Sequence, residues 1–174
     1  MKGLRVRDAR PGDRGAIEAV TLAAYQQYAA LMPALWDGYR QNILATLAAA
    51  QPDAQIVAKE GDRIVGSVLL LPAGSVIARP GGESITLAWP EVRLLAVEPA
   101  SRGQGVGAAL MRTCLRRARH AGATALTLHT TEIMQAAMRL YERIGFVRAP
   151  ELDFEPAPSV IIKGYRLDLK DTGC

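Results

Sequence analysis

Aromatic residues are scarce, at 5% of the 174-residue chain, and most lie away from the arginines. Basic residues interleaved with aromatic ones are the mark of a nucleic-acid surface, so no nucleic-acid partner is expected. Histidine and cysteine are scarcer still, with His120, His129, Cys114 and Cys174 the whole set. Four such residues make neither a disulfide framework nor a metal cluster, so no metal is expected. No apolar run approaches the roughly 18 residues of a membrane span. The start, Met1 to Arg7, carries charge with no apolar stretch behind it and does not read as a signal peptide. The expectation is a cytoplasmic protein with no membrane partner. Neither sign of charge dominates: 21 basic residues face 17 acidic ones, a net +4. That mild excess reads mainly as a solubility feature.

What is present is ordinary for a globular chain: 49% hydrophobic and 22% charged residues, too apolar for disorder. The length suits one domain with a real core. Residues 1–174 are therefore read as a single domain, with the last residues around Cys174 frayed.

Leu4 to Arg7 alternates and predicts a strand. Asp13 is placed to cap a helix whose apolar face holds Ile17, Val20, Ala24 and Tyr28. Pro33 suits the first turn of a second helix bearing Trp36, Tyr39, Ile43 and Leu47. Gln55 to Glu60 and Arg63 to Leu71 read as a hairpin turned at Gly61-Asp62. Pro72 to Pro90 reads as a loop with a short strand at Ser84 to Ala88. Glu91 to Val97 predicts a central strand, its end apolar on both faces. A helix follows from about Gly105 to Ala121, ended by Gly122, then a strand from Ala125 to Thr130. Glu132 to Ile144 predicts a helix stopped by Gly145, and strands at Phe146-Val147 and Val160 to Leu169 finish the chain. The strand–helix–strand run from Glu91 to Thr130 implies a parallel pair with a crossover helix. The rest reads as antiparallel. The fold class is α+β: a mixed, mainly antiparallel sheet flanked by helices on both faces.

The strongest chemical signal is Arg102-Gly103-Gln104-Gly105-Val106-Gly107-Ala108, after a buried strand and at the opening of a helix. Glycines let the backbone approach a ligand closely, and free amides at a helix start favour phosphate. Arg102 is placed to add a charge-assisted contact. A P-loop is excluded, because no Gly-Lys-Ser/Thr follows. A dinucleotide site matches Gly103, Gly105 and Ala108, with Glu132 after the next strand, but few residues remain for its parallel sheet. A strand–helix turn with no ligand is the plain alternative.

A third reading uses more of the chain. Leu94 to Gly107, with Arg102, Gly105 and Gly107 meeting Arg/Gln-x-x-Gly-x-Gly/Ala, resembles the acyl-CoA motif of the GNAT superfamily of N-acetyltransferases. Ala137 to Phe146 is similar to that family's Ala-x-x-Leu-Tyr-x-x-x-Gly-Phe segment. The resemblance implies a transferase that moves an acetyl group from acetyl-CoA to a primary amine by direct attack. The amides of Gln104, Gly105, Val106, Gly107 and Ala108, with Arg102 and Gly103, would hold the CoA pyrophosphate. The pantetheine arm would pair along Leu94 to Val97, involving Leu95, Ala96 and Val97. A bulge there would free an amide near Leu95 to polarise the thioester carbonyl. Glu91, four residues before Leu95, matches the position of a general base in some members. Tyr141 matches the general acid that protonates the departing thiolate. Met134 departs from the family, where many members have an asparagine that contacts the CoA arm. A non-catalytic acyl-CoA-binding sensor is the alternative from another class.

The same resemblance places Tyr25, Tyr28 and Trp36 at an acceptor pocket, with core packing as the other reading. It places Asp153, with Glu151 and Glu155, in an acidic loop at the acceptor mouth. An amine acceptor is thus the expected partner, and a homodimer stays open. Cys114, mid-helix beside Leu110 and Ala118, reads as a core thiol. His129, beside the turn to the next helix, reads as a hydrogen-bonded structural residue, with reach to the active site as the other reading; Arg112, Arg116 and Arg119 read as a solvated helix face, with a contact to the CoA 3′-phosphate or a minor nucleic-acid patch as the alternative.

Overall fold

The computed structural model describes residues 3–79 and 82–169. Cys174 therefore lies outside the described residues. The chain divides into two compact units. One comprises the residues up to Leu70 together with Leu94–Thr113, and the other Leu71–Arg93 together with the residues from Cys114 onward.

In the first unit, strand β1 (Leu4–Asp8) pairs antiparallel with β2 (Gln55–Glu60), Val6 opposite Ala58. β2 turns at Gly61, whose φ of +58° a glycine adopts without strain. It then pairs antiparallel with β3 (Arg63–Leu71). β6 (Glu91–Val97) neighbours β3, giving the order β1-β2-β3-β6. Helix α1 (Arg14–Tyr25) buries Ile17, Val20, Thr21, Ala24 and Tyr25, the 3.6-residue stripe expected of an amphipathic helix. Tyr28 falls instead in a 3-10 turn, Gln26–Tyr28, past the end of α1. Asp13 does not cap α1. Its carboxylate takes Arg7 at 2.6 Å and the Arg10 amide at 2.7 Å, closing the 3-10 turn in front of the helix. Helix α2 (Trp36–Ala49) begins three residues after Pro33 and buries Ile43 and Leu47.

A glycine fixes how closely β3 approaches its neighbours. A Cβ on Gly66 would lie 2.9 Å from Val106 Cγ1, 3.0 Å from the Ala96 carbonyl and 3.1 Å from Leu110 Cδ1. Any side chain there would push the start of helix α3 (Val106–His120) off the strand.

In the second unit, β6 runs parallel to β7 (Ala125–Thr130), Glu91 opposite Thr127 and Val92 opposite Leu128. The sheet continues antiparallel through β10 (Val160–Asp168) to β8 (Val147–Arg148), and β9 (Phe154–Ala157) pairs β10 beside it. The Pro72–Pro90 stretch holds a two-stranded hairpin, β4 (Val76–Ala78) and β5 (Ser84–Thr86), of which the sequence pattern showed only the second. Helix α4 (Gln135–Ile144) starts three residues later than the sequence suggests, because Met134 is its N-cap. It ends at Gly145, φ +107°. The Phe146 amide bonds the Tyr141 carbonyl and the Gly145 amide bonds the Glu142 carbonyl, a Schellman closure. The sheet is mixed and mainly antiparallel, with helices, as the sequence pattern implies. Among the described residues, no helix is long and apolar enough to cross a membrane.

Candidate active site

In the first unit the chemistry begins with a kink. Leu94 sits at φ +50°, in the left-handed region, in the middle of β6. For a branched apolar residue that conformation costs about 1–3 kcal/mol and persists only where its surroundings enforce it. It re-aims the backbone just before Leu95, which is half-buried, while Ala96 is 1% exposed.

The strand then leads into an ordered turn. The Glu98 amide bonds the Val65 carbonyl at 2.9 Å. The Glu98 carboxylate takes Arg63 at 2.7 Å and the Ser101 hydroxyl at 3.2 Å. Pro99 opens the 3-10 turn Pro99–Ser101, where its missing N–H costs nothing. Gly103 and Gly105 follow at φ +73° and +78°, which only glycine adopts cheaply. Val106, 1% exposed, anchors the start of α3. The first helical bond runs from the Ala109 amide to the Gly105 carbonyl at 3.0 Å. The amides of Val106, Gly107 and Ala108 precede that ladder, at the positive end of the helix dipole. Gly103, Gln104 and Gly105 are exposed around them.

Arg102 is aimed elsewhere than the motif suggests. Its guanidinium donates to the Ala24 carbonyl at 2.9 Å and to Gln27 Oε1 at 3.1 Å, gripping the end of α1. Tyr25 is buried, edge-on to Tyr28 at 6.0 Å and tilted against Tyr39 at 6.0 Å. Trp36 and Tyr28 stay half-buried, beside the exposed Leu31 and Leu35. Burial pushes the Tyr28 hydroxyl above its ordinary value, and the Arg102 charge partly opposes this.

In the second unit, Glu91 is 3% exposed. Its Oε2 lies 3.2 Å from His129 Nδ1, and its Oε1 lies 3.8 Å from Arg93 Nε. His129 Nε2 meets the Leu152 carbonyl at 2.9 Å, and the imidazole stands edge-on to Phe154 at 5.3 Å. The contact between Glu91 and His129 is the feature that sequence reasoning missed. The register Glu91↔Thr127 on two parallel strands was its only signal.

Tyr141 is 6% exposed and packs on Phe146 at 6.1 Å. The Schellman closure explains the spacing of the Leu-Tyr-x-x-x-Gly-Phe segment, since it brings the residue after the glycine back onto the tyrosine. Met134, 7% exposed, is buried at the start of α4.

Asp153 is not a free acceptor-facing acid. Arg148 grips its carboxylate with two bonds of 2.9 and 2.8 Å, and the Gly164 amide donates to it at 2.7 Å. The Arg148 bond, with the Gly164 amide, holds the Asp153 carboxyl below the usual range. Glu151 lies 3.8 Å from Arg166, while Glu155 is exposed. Cys114 is fully buried, and burial pushes its thiol up to about 12, so it is no nucleophile at neutral pH. Arg112, Arg116 and Arg119 are exposed on α3.

The model of the acetyltransferase (GNAT) family matches residues 21–146. N-acetyltransferase 8F1 of Rattus norvegicus is 39% identical over 90 residues, covering 52% of this chain and 38% of that protein. The chain thus spans about two fifths of the length of such relatives, 38% here and 40% for N-acetyltransferase 8B of Homo sapiens. Ard1 from Thermoplasma volcanium superposes with a TM-score of 0.69 at 19% identity, over 97% of this chain and 99% of that one. A GNAT family acetyltransferase from Brucella melitensis, in complex with acetyl-CoA, gives 0.58 at 23% identity, over 97% and 89%. At these identities the two structures establish a shared fold. With the family model matched over most of its length, the chain belongs to the acetyltransferase (GNAT) family.

Proposed function

We propose that the chain transfers an acetyl group from acetyl-CoA to a primary amine, by direct attack and without a covalent enzyme intermediate. The observation that carries this reading is the left-handed Leu94 within β6, in the same unit as the glycine turn that opens α3. Strain at a non-glycine residue beside an anion-binding helix start argues for a built site.

In this reading the amides of Gln104 to Ala108 take the pyrophosphate. The pantetheine arm lies along Leu95, Ala96 and Val97. The Leu95 amide polarises the thioester carbonyl, so negative charge developing on that oxygen meets a fixed donor. Arg102 acts through its hold on Ala24 and Gln27 rather than on phosphate. The amine arrives as an ammonium and must lose a proton before its lone pair can attack. Glu91 accepts that proton. Tyr141 donates one to the sulfur as the carbon–sulfur bond breaks. Tyr28 and Trp36 offer the acceptor an apolar, half-buried surface, whereas Asp153 is spent on Arg148.

The test is thiol release from acetyl-CoA against a panel of primary amines. It includes small amines, peptides with free N-termini and lysine peptides. Release with at least one amine, dependent on Glu91, supports the proposal. Tight acetyl-CoA binding with no release on any amine points to the non-catalytic acyl-CoA sensor.

A further inference from the structure

The base in the proposed reaction is not a lone carboxylate. His129 Nε2 faces the Leu152 carbonyl at 2.9 Å, and a carbonyl can only accept, so Nε2 carries a hydrogen. Its other nitrogen, Nδ1, lies 3.2 Å from Glu91 Oε2. With both partners deprotonated there, two lone pairs would face each other at a site where Glu91 is 3% exposed and water cannot screen them. One proton between Oε2 and Nδ1 turns that repulsion into a charge-assisted hydrogen bond.

The sequence builds this arrangement. Gly164 stands opposite His129 across β10 and β7. Lacking a side chain, it lets the turn Pro150–Leu152 settle against it, so that the Leu152 carbonyl reaches Nε2. Phe154 closes the flank of the ring. Other charged groups lie close to the pair. Arg93 is 3.8 Å from Oε1, Asp153 is held by Arg148 and interacts electrostatically with His129, and the Arg79 guanidinium lies on the Phe154 ring at 4.3 Å from its centroid.

We infer that His129 is the positioning residue for Glu91, and that the two act as one acid–base unit that takes the acceptor's proton. This rests on the transferase reading above. An N–H bond of the ammonium breaks and the nitrogen keeps the electron pair. That proton goes to Oε1, the carboxylate oxygen not turned toward His129, and is later returned to water, while the shared proton stays between Oε2 and Nδ1. The second proton lost by the nitrogen leaves as the amide forms, matching the one Tyr141 delivers to the thiolate.

The pair itself is tested without turnover, by 15N NMR of histidine-labelled protein. The two histidines are told apart by the signals that His129→Asn removes. Glu91→Gln is expected to shift the His129 Nδ1 resonance and leave His120, exposed on α3, unmoved. An unchanged His129 signal overturns the pair.

Its role is tested by single-turnover rates with acetyl-CoA and the best amine of the panel. His129→Gln keeps a donor for Leu152 and loses Glu91, while His129→Asn keeps a donor for Glu91 that cannot carry the proton. The expected order is wild type, then His129→Asn, then His129→Gln. The last should be at least about tenfold slow, within the reach of general base catalysis, with acetyl-CoA affinity unchanged. In a Glu91→Gln background, His129→Gln should cost little more, because the unit is already broken. Full additivity, or wild-type rates in both His129 variants, overturns the positioning role. A wild-type rate for Glu91→Gln alone overturns the base assignment instead. If no amine releases thiol, the transferase reading falls and the positioning role with it, while the NMR still reports the pair.

Discussion

Replacing Gly164 with alanine tests the chain of contacts behind Glu91. A Cβ at that position would lie 2.4 Å from Leu152 Cβ, 2.9 Å from the Ala149 carbonyl and 3.1 Å from the Leu152 carbonyl carbon. The first distance is about 1 Å short of ordinary contact, and two of the three atoms are backbone. The turn Pro150–Leu152 must therefore retreat. Overpacking of this kind costs about 1–3 kcal/mol. Separating the Leu152 carbonyl from His129 Nε2 adds about 0.5–1.5 kcal/mol. The stiffer unfolded chain returns about 0.4–1 kcal/mol. The net is a destabilisation of about 2 kcal/mol, or roughly 4–8 °C in Tm for a chain of this size. Thermal and denaturant unfolding measure it. Gly38→Ala is the control: Gly38 lies within α2 with open space around its Cβ position, so alanine there should stabilise by up to about 1 kcal/mol. A Gly164→Ala protein as stable as wild type, alongside the expected Gly38→Ala gain, would refute the packing argument.

Gly105→Val should abolish acetyl-CoA binding by calorimetry while leaving the far-UV spectrum intact, because φ +78° excludes a branched residue. In a Cys174→Ser background, Cys114 should react with a thiol reagent only as fast as the protein unfolds, since its thiol is buried and pushed up to about 12; rapid labelling of native protein would contradict this. Asp153 gives an acid limb. Its folded carboxyl lies below the unfolded value of about 3.9, so its contribution is present above that value and is lost as pH falls through the folded one. Asp153→Asn should therefore be less stable than wild type at neutral pH, with the gap shrinking in acid. Tyr141→Phe should keep the packing on Phe146 but slow single turnover at every pH, because the leaving thiolate still needs a proton.

Much of the fold was legible because hydrophobic period and turn chemistry agree along the chain. The β2–β3 hairpin around Gly61, the parallel β6–β7 pair, and the ends of α3 at Gly122 and α4 at Gly145 all follow from local signals. The misreadings have separate local causes. Asp13 has the pattern of a helix cap, but Arg7 and the Arg10 amide claim its carboxylate. β4 was missed because it is only three residues long, all of them apolar, with Val76 exposed. β9 was hidden by Pro156 and Pro158, which sit in and just after a short strand that pairs with β10.

The candidate site divides along the same line. Glycines that need a positive φ announce themselves, and Gly103 and Gly105 do so here. Leu94 does not, because its left-handed backbone is imposed by its surroundings and leaves no trace in the identity of the residue. Charged residues are worse still. Arg102 and Asp153 have the right types for phosphate and amine recognition, yet each is claimed by a nearer partner, Ala24 and Gln27 for one and Arg148 for the other. The reverse holds for Glu91 and His129, 38 residues apart and unremarkable singly. The register that sets Glu91 against Thr127, and the antiparallel register that sets bare Gly164 against His129, bring them together. A glycine on one strand thus decides which carbonyl fixes the imidazole on the next, and the imidazole in turn orients the carboxylate. The side chain best placed to set the chemistry of Glu91 is therefore encoded by strand register, where no local motif reveals it.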